Sequence, residues 1–220
     1  MACLFFLVFS AAQRLTYHWS ATTERGYTES LKSRGDSNMR VASTVLVYML
    51  LAPSSAAADQ TDPRLDSLFG GLRASSDLAT LRAAENKIWE IWLQHENSDV
   101  EELMQMGIQR MNRQRYSDAM LIFNQIITSY PDYAEAWNKR ATLQYLVGNF
   151  DSSIADIEKT LELEPRHFGA LSGLGLVYIQ RNELNKAKEA FENLIRIHPN
   201  SSNARQNLEL VIERLQSNLI

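Results

Sequence analysis

Residues 168–199 read FGALSGLGLVYIQRNELNKAKEAFENLIRIHP. Leu171, Leu174, Gly175 and Tyr178 form an apolar and small stripe before the Arg181-Asn182 turn, and Ala187 and Phe191 continue it afterwards. The spacing is that of two helices folded back on each other. Pro199 closes the second helix, because proline cannot continue the hydrogen-bond ladder. Pro165 and, as far again upstream, Pro131 precede it at equal intervals. A period of about 34 residues, with a proline near the end of each unit, marks a repeated helix–turn–helix.

Working back by that period gives two further units. The one from Ala134 carries Trp137, Ala141, Gly148, Phe150, Ser153, Ile157 and Pro165. The one from Val100 carries Leu103, Met106, Gly107, Ala119, Phe123 and Pro131. Small residues such as Gly107, Ala141 and Gly175 suit places where helix axes cross closely, and large ones such as Phe123 and Phe191 fill the gaps beside them. Gly148-Asn149 and Arg181-Asn182 suit left-handed turn positions. The middle unit departs from the pattern at Arg140 and Gln144, where apolar residues are expected. No unit of this kind buries its apolar face alone, so three must stack into one core.

Outward from the repeats, residues 200–219 read as a capping helix with Leu208, Val211, Ile212 and Leu215 on one stripe. On the other side, Asp62-Pro63 opens a short helix with Leu65, Leu68, Phe69 and Leu72, and a second helix follows from Leu78 to about His95. The expected organisation is a helical hairpin over 59–98 and a repeat domain with its cap over 99–220.

The leader reads differently. Met39-Arg40 is a short positive region, Val41 to Leu51 an apolar run, and Ala56-Ala57-Ala58 a small-residue cleavage pattern before Asp59. That is the layout of a secretory signal peptide over 39–58. The apolar run is too short to span a bilayer, so no stable span is expected after cleavage. Residues 1–38 read as a mis-assigned start or an unstructured segment. The expected location is the periplasm; an uncleaved leader would instead anchor the chain to the membrane.

Composition narrows the function. The net charge is −4, and residues 59–220 carry 17 Lys and Arg against 23 Asp and Glu. A nucleic-acid binder would show a basic stripe, and none is present. Cys3 is the only cysteine and the four histidines, His18, His95, His167 and His198, lack ligand spacing, so no metal site is expected. They read as surface or turn residues. Ser172-Gly173-Leu174-Gly175 lacks the preceding strand of a phosphate loop and reads as close helix packing. Glu101-Glu102 read as helix N-terminal charges rather than paired catalytic acids. Neither a catalytic centre nor a cofactor is expected.

The repeat units resemble the tetratricopeptide-repeat superfamily. The chain is also similar to a group of small exported repeat proteins of proteobacteria. It shares with them Arg64-Leu65-Asp66-Ser67-Leu68-Phe69, the helix Ile88-Trp89-Glu90-Ile91-Trp92, and a run from Glu135-Ala136-Trp137 through Phe168-Gly169-Ala170-Leu171. The resemblance implies an all-α helical solenoid and a non-enzymatic adaptor or scaffold. Such a protein binds a partner peptide or helix in a concave groove. The alternative is a structural subunit of a larger cell-envelope complex, contacting its partners through the outer faces.

By the resemblance, positions 2, 5, 9 and 12 of each unit's first helix line that groove. The residues singled out are Met104, Ile108 and Met111, then Asn138, Thr142 and Tyr145, then Leu176 and Ile179. A clamp of Lys, Asn and Arg for a partner's terminal carboxylate, as some members carry, is not formed by this set. Asn138-Lys139-Arg140 reads as a solvated face, or as a ligand contact from the groove. Trp89 and Trp92 read as core, and their helix is a candidate to cover Met104 and Ile108. In that case Asn138, Thr142 and Tyr145 would remain open.

Overall fold

Helix–turn–helix periodicity takes shape in a computed structural model that describes residues 59–217, and among the described residues there are nine α-helices and no strand. The expectations for 1–38 and 39–58 lie outside the described residues. The helices are α1 (Arg64–Ala74), α2 (Leu78–Leu93), α3 (Ser98–Asn112), α4 (Tyr116–Ser129), α5 (Ala134–Leu146), α6 (Phe150–Leu163), α7 (Phe168–Gln180), α8 (Leu184–Ile197) and α9 (Ser202–Ser217). Three antiparallel pairs, α3–α4, α5–α6 and α7–α8, stack in sequence, and α9 packs on α8 at the end.

One backbone device recurs at the turn of every pair. Gln114, Gly148 and Asn182 have φ of 59°, 80° and 58°, and they recur with the period of the prolines. Each ends a first helix. At Gly148 the following Asn149 N–H reaches back to the Gln144 carbonyl at 2.9 Å, and at Asn182 the Glu183 N–H reaches the Tyr178 carbonyl at 2.9 Å. These bonds satisfy carbonyls that the helix end would otherwise orphan. Sequence reasoning anticipated the glycine and the asparagine; glutamine in a left-handed turn gave no signal.

Inside each pair, a small residue sits beneath a large one. A Cβ built on Gly107 would lie 2.6 Å from the Phe123 ring, and one on Gly175 would strike the Phe191 ring. Both rings are fully buried. In the middle pair Ala141 faces Ile157 within one cluster, and Ser153 Oγ donates to the Ala141 carbonyl at 2.8 Å.

The hairpin α1–α2 has its own apolar core: Leu65, Phe69, Leu72, Leu81, Ala84, Ile88, Ile91 and Trp92. Asp62 opens α1 by accepting the Arg64 N–H at 2.8 Å, and Asp77 caps α2 by accepting the Thr80 N–H at 2.8 Å. Two residues of the third pair, Phe168 and Ile197, complete this core. Trp92 is 1% exposed and Trp89 packs partly buried beside it, as their reading as core requires.

Candidate functional site

The first helices of successive units touch each other, α3 with α5 and α5 with α7. That places them on the inner, tighter side of the stack. The sequence-derived groove residues on them divide into two sets. Met104, Ile108, Met111 and Asn138 are buried. Thr142, Tyr145, Leu176 and Ile179 are half-buried. Carried on to α9, the same register gives Leu210, which is 38% exposed. The open part of the inner face is therefore the C-terminal half of α5 and α7, nearer their left-handed turns; on α3 the corresponding Ile108 and Met111 are buried. There Tyr145 leans on Phe150 with ring centroids 5.8 Å apart, and Gln180 Nε2 donates to its hydroxyl at 3.4 Å. Burial raises the Tyr145 hydroxyl above its ordinary pKa.

Toward the start of α5 and α7 the face is covered by α2, and a buried polar centre lies beneath it. Glu135 sits 1% exposed at the start of α5. Its Oε1 meets Lys139 Nζ at 2.6 Å. Its Oε2 accepts from Asn138 Nδ2 at 3.0 Å and from His167 Nε2 at 2.9 Å. His167 Nδ1 accepts the Ala170 N–H at 3.0 Å, capping α7, so Nε2 is the donor toward Glu135. Burial alone would raise the Glu135 carboxyl. The adjacent Lys139 charge and the His167 hydrogen bond outweigh it and hold the group below its ordinary value.

The two tryptophans of α2 lie on this centre. Trp92 stacks on the His167 ring, centroids 4.0 Å apart and planes 11° from parallel. Lys139 Nζ lies 5.1 Å from the Trp89 ring centroid, a cation–π geometry. Gly169 leaves the space Trp89 fills: a Cβ there would lie 2.5 Å from the indole.

Two expectations are corrected here. Asn138 and Lys139 are 4% exposed, so the polar run 138–140 is not a solvated face; nothing nearby in the sequence announces what covers it. Arg140 replaces an apolar contact with a polar one. It grips Asp156 through two hydrogen bonds of 2.7 Å and Asn124 Oδ1 at 2.8 Å, and lies 4.9 Å from the Trp137 ring centroid. His167 and His198 sit at helix ends in the turns, as one reading expects, but they are not surface residues: they are 0% and 2% exposed, and His198 Nε2 meets Glu85 of α2 at 2.5 Å. Glu101 does sit in the first turn of α3, where it also accepts the His95 N–H at 2.8 Å.

The hairpin's seat has a period of its own. Asp132, Arg166 and Asn200 directly follow the three prolines and so share their spacing. Gln60 donates to the Asp132 carbonyl at 2.5 Å. Arg166 pairs with Asp66 at 2.6 Å and lies over Phe69. Asn200 donates to the Ser75 carbonyl at 2.6 Å. The N-terminal segment thus runs along the loops that join the units. Sequence reasoning missed these residues; their equal phase, directly after each proline, was the available signal.

Comparison with known proteins matches this geometry. The family model described as tetratricopeptide repeat matches residues 103–133 and 170–201, the first and third units; the middle one, with Arg140 and Gln144, falls outside both matches. A TPR repeat-containing protein of Rhizobium etli is 33% identical over 162 residues, covering 74% of this chain and 79% of that protein. The chain spans only 12% of human sperm-associated antigen 1, which it matches at 28% identity over half its own length. Among solved structures, the TPR domain of Sgt2 from Aspergillus fumigatus has a TM-score of 0.53 at 24% identity, over 56% of this chain and 82% of that one. The first TPR of Spaghetti, solved bound to an HSP90 peptide, has a TM-score of 0.53 at 18% identity, over 55% of this chain and 96% of that one. With its three stacked helix pairs and a relative of this identity along most of both lengths, the chain belongs to the tetratricopeptide-repeat proteins.

Proposed function

We propose that this protein is a non-enzymatic adaptor that holds an amphipathic helix or an extended apolar peptide of a partner protein on the open half of its inner face. The observation that carries this reading is the strip Tyr145, Leu176, Ile179 and Leu210. It runs across α5, α7 and the capping helix α9, and is left at least partly accessible. Strips of this kind take the apolar face of a helix. The Spaghetti domain, of like fold, is bound to a peptide, which supports the same use here. The signal-peptide reading of residues 39–58 supports a periplasmic place of work.

Export and capture from the periplasm test both parts. Amino-terminal sequencing of the mature protein should begin at Asp59. Tyr145→Ala should weaken the captured partner's binding by roughly thirtyfold, the loss of about 2 kcal/mol that a buried tyrosine contact carries. Leu210→Lys should weaken it too and, being exposed, leave the melting temperature unchanged. Binding at full strength by both folded variants defeats the groove reading. The alternative, a structural subunit of an envelope complex, rests on Leu121 of α4, which is 69% exposed; there Leu121→Lys, not Tyr145→Ala, would release the partner.

A further inference from the structure

The start of the inner face on α5 and α7 is already filled, and its filler is itself an amphipathic helix. Helix α2 lies over positions the repeat register assigns to ligand contact: Glu135, Asn138 and Gly169. The surface beneath it is shaped for aromatic side chains. Gly169 leaves a recess for the Trp89 indole, Lys139 faces that ring, and His167 offers its flat face to Trp92. Glu135 fixes Lys139 and His167 in those poses from below.

The fit in cis is imperfect. Among the described residues Trp92 Nε1 is buried with no hydrogen-bond partner, whereas buried indole N–H groups usually find one. The connection to the repeats is short: only residues 94–97 separate α2 from α3, and both Gln94 and Asn97 are extended. A hairpin on such a connector can leave its seat without unwinding a helix.

We propose that α2 is an intramolecular ligand of the inner face, and that the partner presents an amphipathic helix with two aromatic side chains, spaced like Trp89 and Trp92, that takes its place. The second aromatic is best a phenylalanine, which leaves no N–H unpaired. This rests on the reading that the inner face takes a partner helix; it extends the seat of that helix from the open half to the half that α2 covers, and it names the kind of helix. A self-ligand lowers apparent affinity in proportion to the fraction of molecules in which the site is free, so weakening α2 must tighten binding in trans.

A fluorescently labelled synthetic peptide of residues 62–95 is the probe, titrated by anisotropy against the full chain. Binding to a Trp89→Ala chain should be about tenfold or more tighter than to wild type, the gain expected when a minor open state becomes the major one. Adding Gly169→Ala to that chain should abolish the gain, since the new methyl stands where the peptide's own Trp89 would lie. A peptide carrying Trp92→Phe should bind at least as well as the natural one. No binding to a Trp89→Ala chain of undiminished helicity overturns the proposal. Should that chain lose its helicity, hydrogen exchange on wild type decides. Faster exchange in α1–α2 than in α5–α8 upholds the proposal, and equal protection overturns it. A partner that needs Tyr145 yet is indifferent to Trp89→Ala would overturn this inference and leave the adaptor reading standing.

Discussion

Trp92 of α2 lies flat on His167, which stands just ahead of α7, at a centroid distance of 4.0 Å. The stack is held from three sides. Glu135 accepts from His167 Nε2, the Ala170 N–H donates to Nδ1, and Trp89 meets the same imidazole edge-on at 5.6 Å. One histidine therefore caps α7, ties α5 to α7 and seats the N-terminal hairpin.

Glu135→Gln should be among the most damaging single changes. It removes the negative charge that faces buried Lys139, and breaking one side of a buried pair costs about 3 kcal/mol or more. For a chain of this size that is a fall in melting temperature of roughly 6–12 °C, read by circular dichroism at pH 7.

The same carboxylate sets an acid limit. Its pKa is lower folded than unfolded, so its stabilisation is fully present above the unfolded value of about 4.3. It is lost as pH falls through the lower folded value. Asp62, held down chiefly by its hydrogen bond with Arg64, acts with the same sign. Melting temperature should drop steeply below about pH 4, and the Glu135→Gln protein should show a shallower drop over that range.

Arg140→Ala should destabilise by about 3 kcal/mol, because Asp156 is 5% exposed and would lose the guanidinium that grips it. Arg140→Lys should recover only part of this, since an ammonium cannot reproduce the two-pronged grip on the carboxylate. Urea denaturation of the three proteins compares them directly.

Glycines should divide by what surrounds them. Gly175→Ala drives a methyl into the Phe191 ring and should cost about 1–3 kcal/mol as overpacking. Among the described residues, a Cβ on Gly70 or Gly71 within α1 meets nothing within 4 Å. Alanine at either should stabilise by about 0.5–1 kcal/mol, through better helix propensity and a less disordered unfolded chain. Opposite signs for the two classes, measured by thermal melts, are the expected outcome.

The repeat architecture was legible because its determinants recur. Proline, a small residue beneath a ring, and a left-handed turn return at one spacing, and each acts within a few residues of itself. The same register picks out Tyr145, Leu176 and Ile179, which are half-buried. The covered half followed only in part: the helix of Trp89 and Trp92 was a candidate cover, but over Met104 and Ile108, whereas the two rings lie on Lys139, His167 and Gly169. Glu135, Lys139 and His167 look like ordinary surface groups until α2 lies on them, and α2 belongs to no repeat. Nothing local in Trp89 or Trp92 says that their seat is Gly169 and His167. Gly169 was the clue with a physical basis: glycine early in a helix, where no turn demands it, marks a close approach by something else.

The contacts that seat the hairpin join residues 72, 100 and 125 positions apart, whereas the stacked units need only their neighbours. Loop closure over such spans is slow compared with the pairing of adjacent helices. On the ribosome, at about 5–20 residues per second, α1 and α2 emerge before the repeats and then wait some seconds for the surface that receives them. These two helices, made before their seat, are thus the last to dock, with two tryptophans exposed meanwhile. Whatever attends the nascent chain meets Trp89 and Trp92 before Gly169 does.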